Sequence, residues 1–459
     1  MASTPIGYLP NDRPPVVSML ILGFQHVLTM FPATVLVALL VGFDVGTVLA
    51  LSGIATIISL VLSKLITGTY IPLYYGSSFA YIAAILAITK ANFGEYAGEE
   101  LVRLAQVGFI ATGLINVAVG FFIRFAGGKK AIDHILPPIV TGSVALVIGI
   151  ALAKAALDMA AAHWAVAFFT MIVTIMLSVF LKKGFWRFIP ILIGAIVGYF
   201  AGWLAGLVDL TPVAQAAWFA VPHFTTPAFN SPRVWEAIAT ISVIAIATIP
   251  ESTAHLYQIS LYVDKLAEKI KKPPIRLSKF IGINLIIDGI GDMINGLFGG
   301  VAGTNYGENN SLMAITRNYS GPVLMAAGGI AVSLAFIGKF SALIGTIPVA
   351  VTGGLAMYLF GVIGMQGIAL LMEEKVNFYD PAQLAIGAVI AVIGIGGNIG
   401  FPGGNLPMGI MMGTFPNGIP AIPLAAIVGI LLNAILTTKW ETVWDKYLLL
   451  LEKGGFYER

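Results

Sequence analysis

No cysteine occurs among the 459 residues, which excludes disulfides, thiolate catalysis and thiolate-held metal sites. Charge is nearly as scarce. Asp, Glu, Lys and Arg make up 10% of the chain, against about 25% in an ordinary soluble domain. Five histidines are present, and nothing in their spacing makes a metal-ligand cluster. No Ser/His/Asp arrangement and no phosphate-binding glycine loop is visible, so an enzyme is not expected. A cleavable leader is not expected either. The opening MASTPIGYLPNDRPP has neither the basic start, the apolar middle nor the small-residue cleavage site of a secretory peptide, so the first apolar segment is expected to serve as its own insertion signal. The net charge of +3 says little, because in such a chain the placement of basic residues matters more than their sum.

What the chain does have is apolar length. Hydrophobic residues account for 58% of it, arranged as apolar blocks of about 20 residues with short polar breaks, the pattern of a polytopic membrane protein. We count roughly fourteen blocks between about residue 16 and about residue 437. With the N-terminus placed inside, only Lys90, Arg103, Lys154, Arg233 and Lys339 of the 25 basic residues fall outside. The positive-inside rule therefore predicts an all-α protein with 14 transmembrane segments and both termini cytoplasmic, multi-pass in the cell membrane. The basic run Lys265 to Lys279 reads as a solvated cytoplasmic loop, and no nucleic acid is expected as a partner.

One stretch breaks the apolar pattern. Thr304 to Arg317, TNYGENNSLMAITR, places Glu308, Asn309 and Asn310 directly after Gly307 and before an apolar run. Polar groups at that depth are costly unless they are paired or face a cavity, and they mark functional sites by default. The order Gly307, Glu308 also predicts a helix start, with an acidic residue where the macrodipole favours one. Tyr75-Gly76-Ser77-Ser78-Phe79-Ala80 can be laid on Tyr306-Gly307-Glu308-Asn309-Asn310-Ser311. Likewise Pro137-Pro138-Ile139-Val140-Thr141-Gly142 matches Pro348-Val349-Ala350-Val351-Thr352-Gly353. Both matches are offset by seven blocks, which predicts a seven-plus-seven inverted repeat. Before each Tyr-Gly lies an extended-looking run, residues 69–74 and 300–305. Blocks 3 and 10 are therefore each expected to be a short strand followed by a half-helix, the two strands pairing with each other.

Other polar clusters lie inside spans. Glu251 and His255 share one helical face, with Pro250 loosening the helix before them, and an imidazole one turn from a carboxylate can share its proton. Asp288 and Asp292 are expected to support the broken helices by pairing with Asn284 or a backbone N–H, or to be proton-linked. Gln25-His26 reads more readily as an interhelical hydrogen bond than as a ligand contact. Asn305, Asn309, Asn310 and Thr316 read as residues that hold the half-helix together, and Tyr74-Tyr75 as packing. Two acidic side chains in one cavity, Glu251 and Glu308, disfavour a free anion and favour a cation or a neutral ligand with N–H donors. With half-helix N–H groups on the other side, a flat molecule of alternating N–H and C=O groups, such as a nucleobase, fits. Removal from water disfavours the charged form of a carboxyl group, which offers a coupling to protons.

On Gln25-His26, Tyr75 to Ala80, Pro137-Pro138, Thr211-Pro212 with Trp218-Phe219-Ala220, Glu251 with His255, Tyr306-Gly307-Glu308-Asn309 and Met313 to Arg317, the chain resembles the nucleobase/ascorbate transporter family, most closely its bacterial uracil permeases. Glu308-Asn309 and Thr316-Arg317 keep the spacing of that family's signature, and Glu in the first position resembles the uracil type. Ser311 replaces the usual Gly, and Phe360 stands where the uracil type tends to have Tyr. Asp288-Gly289 is similar to the purine branch.

The resemblance implies a proton-coupled symporter that imports a neutral nucleobase, with uracil ahead of a xanthine-type purine and an anion exchanger or channel on the same fold more remote. Glu251 and Glu308 would accept the ligand's N–H groups. The backbone around Phe79, Ala80, Tyr306 and Gly307 would donate to its carbonyls, and Phe79 would pack on its ring. His255, Glu251 and Asp288 would carry the proton, with Gln25, His26, Ser78, Asn309 and Phe360 in support. No cofactor or metal is implied beyond the proton as coupling ion. The resemblance also implies a core domain of residues 1–126 and 233–340 (spans 1–4 and 8–11) moving against a gate domain of residues 127–232 and 341–459 (spans 5–7 and 12–14, with a cytoplasmic tail), as a homodimer in membrane lipid.

Overall fold

The computed structural model describes residues 7–126, 137–181, 185–401, 404–408 and 418–437. Helices α1 (Val16–Val41) and α2 (Val45–Thr67) lead into strand β1 (Tyr75–Ser77), a turn of 3-10 helix at Phe79–Tyr81, and α3 (Ile82–Thr89). Then come α4 (Glu99–Ala126), α5 (Pro138–Ala151), α6 (Ala153–Ala160), α7 (Trp164–Phe180), α8 (Pro190–Leu204) and the short α9 (Thr211–Gln215). The second half opens with α10 (Val234–Ser242), α11 (Ala245–Lys269) and α12 (Ile281–Phe298), then strand β2 (Gly303–Asn305) and α13 (Gly307–Thr316). It closes with α14 (Gly321–Ala335), α15 (Gly338–Gly345), α16 (Val349–Glu373), α17 (Pro381–Ala391), α18 (Gly397–Gly400), the two-residue strands β3 (Asn405–Leu406) and β4 (Ile419–Pro420), and α19 (Ala421–Thr437). Among the described residues, eight helical segments are long and apolar enough to cross a membrane, and shorter apolar helices accompany them. The chain is a multi-pass, mostly helical membrane protein.

Local chemistry sets the boundaries. Gly42 ends α1 at φ 74°. Asp44 then caps α2 by accepting the Thr47 N–H at 2.7 Å, satisfying an otherwise orphaned donor. Pro137 and Pro348 are the N-cap residues of α5 and α16, where a fixed φ and a missing N–H cost nothing. Helix α12 packs on α4 and α2, α14 packs on α1 and α2, and α16 packs on α5, α6, α7 and α8. Small residues make the closest of these contacts. A Cβ added to Gly113 or Gly289 would lie 2.5 or 2.4 Å from the other's carbonyl oxygen, so α4 and α12 meet backbone to backbone, as small residues permit in membrane helices.

The two strands do pair, and with each other. The ladder is antiparallel, with Tyr75 opposite Asn305, Gly76 opposite Thr304 and Ser77 opposite Gly303. The Tyr306 N–H donates to the Tyr74 carbonyl at 2.9 Å and extends it. Helix α2 grips the first strand, since Ser52 Oγ and Thr56 Oγ1 donate to the Tyr75 carbonyl at 2.8 and 3.1 Å. Two expectations are corrected. First, the strand of block 3 is not residues 69–74. Side chains satisfy that run instead, with Asn11 Oδ1 accepting the Tyr70 N–H and Ser63 Oγ the Ile71 N–H.

Second, laying Tyr75-Gly76 on Tyr306-Gly307 is three residues out of register. Tyr75-Gly76 lies within a strand, whereas Tyr306-Gly307 is a helix start, and it is Ser78 and Phe79 that stand in the same place after β1 as Tyr306 and Gly307 do after β2. The repeated dipeptide serves two ends: Gly76 leaves room for the Tyr306 ring, which a Cβ there would meet at 2.4 Å. Pro250 lies inside α11, where its missing N–H leaves the Ile246 carbonyl without that helical donor, and Val243 and Ile244 separate α11 from α10.

The strands cross so closely that a Cβ on Gly303 would sit 1.8 Å from the Gly76 carbonyl oxygen. Because that neighbour is backbone and cannot rotate away, Gly303→Ala is expected to cost at least about 1–3 kcal/mol of stability. A fall in the melting midpoint of detergent-purified protein checks it.

Candidate functional site

Each strand ends one residue short of a helix start. On the first side the Ser78 side chain accepts the Ala80 N–H at 3.2 Å. On the second, Tyr306 leads directly into α13 with Glu308 in its first turn. Both starts present backbone N–H groups that lack an intrahelical partner. In α13, Asn309 and Asn310 are fully buried while Glu308 is exposed. In α11, Ser252 and Thr253 are buried while Glu251 is exposed. Two acidic side chains thus open onto accessible space from a shell of buried neighbours. Glu251 and Glu308 lie within electrostatic range of each other, with Ser78 near Glu251. Phe79 is half-buried and Ala80 buried beside them.

The asparagines behind the carboxylates are tethers. Asn309 Nδ2 reaches His26 Nδ1 at 3.1 Å and donates to the His26 carbonyl at 3.2 Å, tying α13 to α1. Asn310 Nδ2 donates to the His255 carbonyl at 3.1 Å and to Gln258 Oε1 at 3.3 Å, tying α13 to α11. Thr316 bonds only within its own helix, to the Leu312 carbonyl. The His255 ring lies over Gly307, where a Cβ would be 2.8 Å from Nε2, and His255 Nδ1 has no protein partner among the described residues. The Gln25 carbonyl accepts from Thr29 within α1 at 2.9 Å, and the buried Gln25 Oε1 has no protein partner among the described residues.

Tyr306, expected to touch a ligand, is turned into the strand crossing. It is 5% exposed, its hydroxyl donates to the Ser77 carbonyl at 3.0 Å and meets Thr34 Oγ1 at 2.9 Å, and its ring stacks on Tyr74. Phe360 lies in α16, buried in the apolar cluster against which Phe79 packs, and it lines a cleft of about 460 Å³ with Leu146, Gly149 and Met365.

Asp288 accepts from Asn284 and Asn305, at 3.4 and 3.0 Å, and from Ser252. Asp292 accepts the Gly303 N–H at 2.9 Å. The backbone partner and the Asn284 contact were both expected. Tyr75 was not legible as more than packing, yet its hydroxyl donates to Asp292 at 2.5 Å. Its partner is 217 residues away, and no local pattern signals a contact that distant.

Comparison with known proteins bears on what such a site serves. Residues 17–403 match the Permease family. The uracil permease of Bacillus caldolyticus is 39% identical over 437 residues, covering 93% of this chain and 94% of that protein. The uracil permease of Escherichia coli K12 is 37% identical over 404 residues, covering 85% and 88%. Among solved structures, the transmembrane domain of a cyanobacterium bicarbonate transporter, BicA, is similar with a TM-score of 0.58 at 16% identity, covering 92% of this chain and 99% of that one. At that identity the likeness concerns the fold.

Asn309→Ala removes the tether between α13 and α1 and leaves His26 buried without it, so it is expected to cost about 1–3 kcal/mol. The melting midpoint should fall while Asn310→Ala, acting on the α11 side, lowers it independently; the double variant checks additivity.

Proposed function

The chain belongs to the Permease family, and on that premise we propose that it is a proton-coupled symporter importing a neutral nucleobase, uracil before any other. The observation that carries this reading is the pair Glu251 and Glu308, exposed among buried neighbours and facing two helix starts. Ionised or protonated, a carboxyl group offers acceptor oxygens to the ring N–H groups of a pyrimidine. Backbone N–H groups at Phe79 and Gly307 donate to the ring carbonyls. Phe79 supplies an apolar face. A neutral ligand needs a coupling ion to be concentrated, and the proton is the ion that these residues handle: Glu251 and His255 on one face of α11, with Asp288 joined to that helix through Ser252.

The same reading takes the fourteen apolar blocks, each of which contains a helical segment, as fourteen spans in a seven-plus-seven inverted repeat. Its core domain is α1–α4 with α10–α14, and its gate is α5–α8 with α16–α19. Support comes from the packing of α12 on α4 and α2, and of α16 on α5 to α8. Alternating access is then the movement of one group against the other around the strand crossing. We take the assembly to be a homodimer in the cell membrane with cytoplasmic termini.

Uptake of labelled uracil into proteoliposomes should rise with an inward proton gradient and vanish when the gradient is collapsed. Glu308→Ala should weaken equilibrium binding of uracil by at least about tenfold, or 1.4 kcal/mol. Displacement of nothing by uracil but of labelled xanthine by xanthine would transfer the reading to a purine. Chloride or sulfate flux that survives Glu308→Gln would replace it with anion transport.

A further inference from the structure

Asp292 and Tyr75 are buried, at 0% and 1% exposure, and the transport reading does not use them. Their bonds nevertheless converge on the strand crossing. Asp292 Oδ1 accepts the Tyr75 O–H at 2.5 Å and the Gly303 N–H at 2.9 Å. Asp292 Oδ2 accepts from Asn116 Nδ2 of α4 at 2.8 Å. The Tyr75 oxygen is also 2.8 Å from the Gly303 nitrogen, and the Tyr75 ring packs on Gly291, where a Cβ would be 2.9 Å from it. One turn earlier on α12, Asp288 accepts from Asn305 at 3.0 Å. The two carboxylates therefore hold β2 at its two ends, Gly303 and Asn305.

The spacing fits for a geometric reason. Four residues of helix rise about 6 Å, and two residues of strand rise about 6.6 Å. An i, i+4 pair on α12 thus matches the spacing of an i, i+2 pair on an adjacent strand, and the Gly303 N–H and the Asn305 amide are the two groups held. We propose that Asp292, with Tyr75 and Asn116, is a positioning clamp that fixes the register of β1 against β2, and through it the placement of Phe79 relative to Glu308. A slip of one residue shifts one helix start by about 3.3 Å and turns its strand over, which separates the N–H donors from the carboxyl acceptors. Asp292 acts by accepting three hydrogen bonds, so its shape and acceptors matter and contact with the ligand does not. Asn is the conservative replacement. Its Oδ1 keeps Tyr75 and Gly303, and Asn116 Oδ1, buried without a protein partner among the described residues, can turn to accept from the new amide.

The functional half of this inference rests on uracil binding; the structural half does not, so the test reads both. Purified wild type, Asp292→Asn, Asp292→Ala and Tyr75→Phe are compared by hydrogen–deuterium exchange over residues 75–77 and 303–305, and by equilibrium binding of labelled uracil to the folded, monodisperse fraction. Expected for Asp292→Ala is faster exchange in both strands and a Kd raised about tenfold or more, with Asp292→Asn within about threefold of wild type and Tyr75→Phe between them. Folded Asp292→Ala with wild-type exchange and affinity overturns the clamp, as does an Asp292→Asn as damaged as Asp292→Ala. If Asp292→Ala yields no folded protein, Tyr75→Phe decides, and unchanged exchange with unchanged Kd overturns the clamp. A wild type that does not bind uracil sinks the transport reading, and the exchange data alone then judge the clamp.

Discussion

Extended backbone in the middle of a membrane protein is tolerated only when every N–H and C=O finds a partner inside the protein, and the crossing of β1 and β2 is where this chain meets that demand. Two three-residue strands satisfy each other. Two glycines, Gly76 and Gly303, let them approach. Side chains from α2 and α12 take up what the ladder leaves over, and Asn116 of α4 holds Asp292 in turn. The helix starts beyond each strand are fixed by this arrangement, and the exposed carboxylates of Glu308 and Glu251 are placed against them.

The polar groups around the crossing fall into two layers with different chemistry. Toward the accessible side stand Glu251, Glu308, Ser78 and His255, which retain hydrogen-bonding capacity. Behind them stand Asp288, Asp292, Asn305, Asn309, Asn310, Tyr75 and Tyr306, whose bonds go to the protein. Buried polar networks gain most when their members are satisfied, and each residue of the rear layer makes at least one hydrogen bond to the protein, while Asn309 Oδ1 and Asn310 Oδ1 are left without a protein partner among the described residues. A rigid rear layer lets the front layer keep unpaired groups for a ligand.

Much of this is legible in the sequence. The polar interruption at Glu308 to Asn310, the helix start after Gly307, the pairing of two short strands and the partners of Asp288 and Asp292 all follow from the cost of burying polar groups. Register was not legible. Tyr75-Gly76 and Tyr306-Gly307 look alike as letters, but one is strand and the other a helix start, because Gly76 is needed to admit the Tyr306 ring. Nor did Tyr306 read as a crossing residue, since the Thr34 and Ser77 groups that hold its hydroxyl lie 272 and 229 positions away.

The sequence by itself determined that this is a multi-pass membrane protein of apolar helices with an acidic interruption at its centre, because hydrocarbon length and the cost of buried charge act on composition and local order. Only the tertiary structure decided which strand residues cross, which carboxylates face open space and which are spent on holding the backbone. Those choices depend on which atoms from distant segments meet, and a hydrogen bond such as that of Tyr75 to Asp292 exists only once the helices between them have packed.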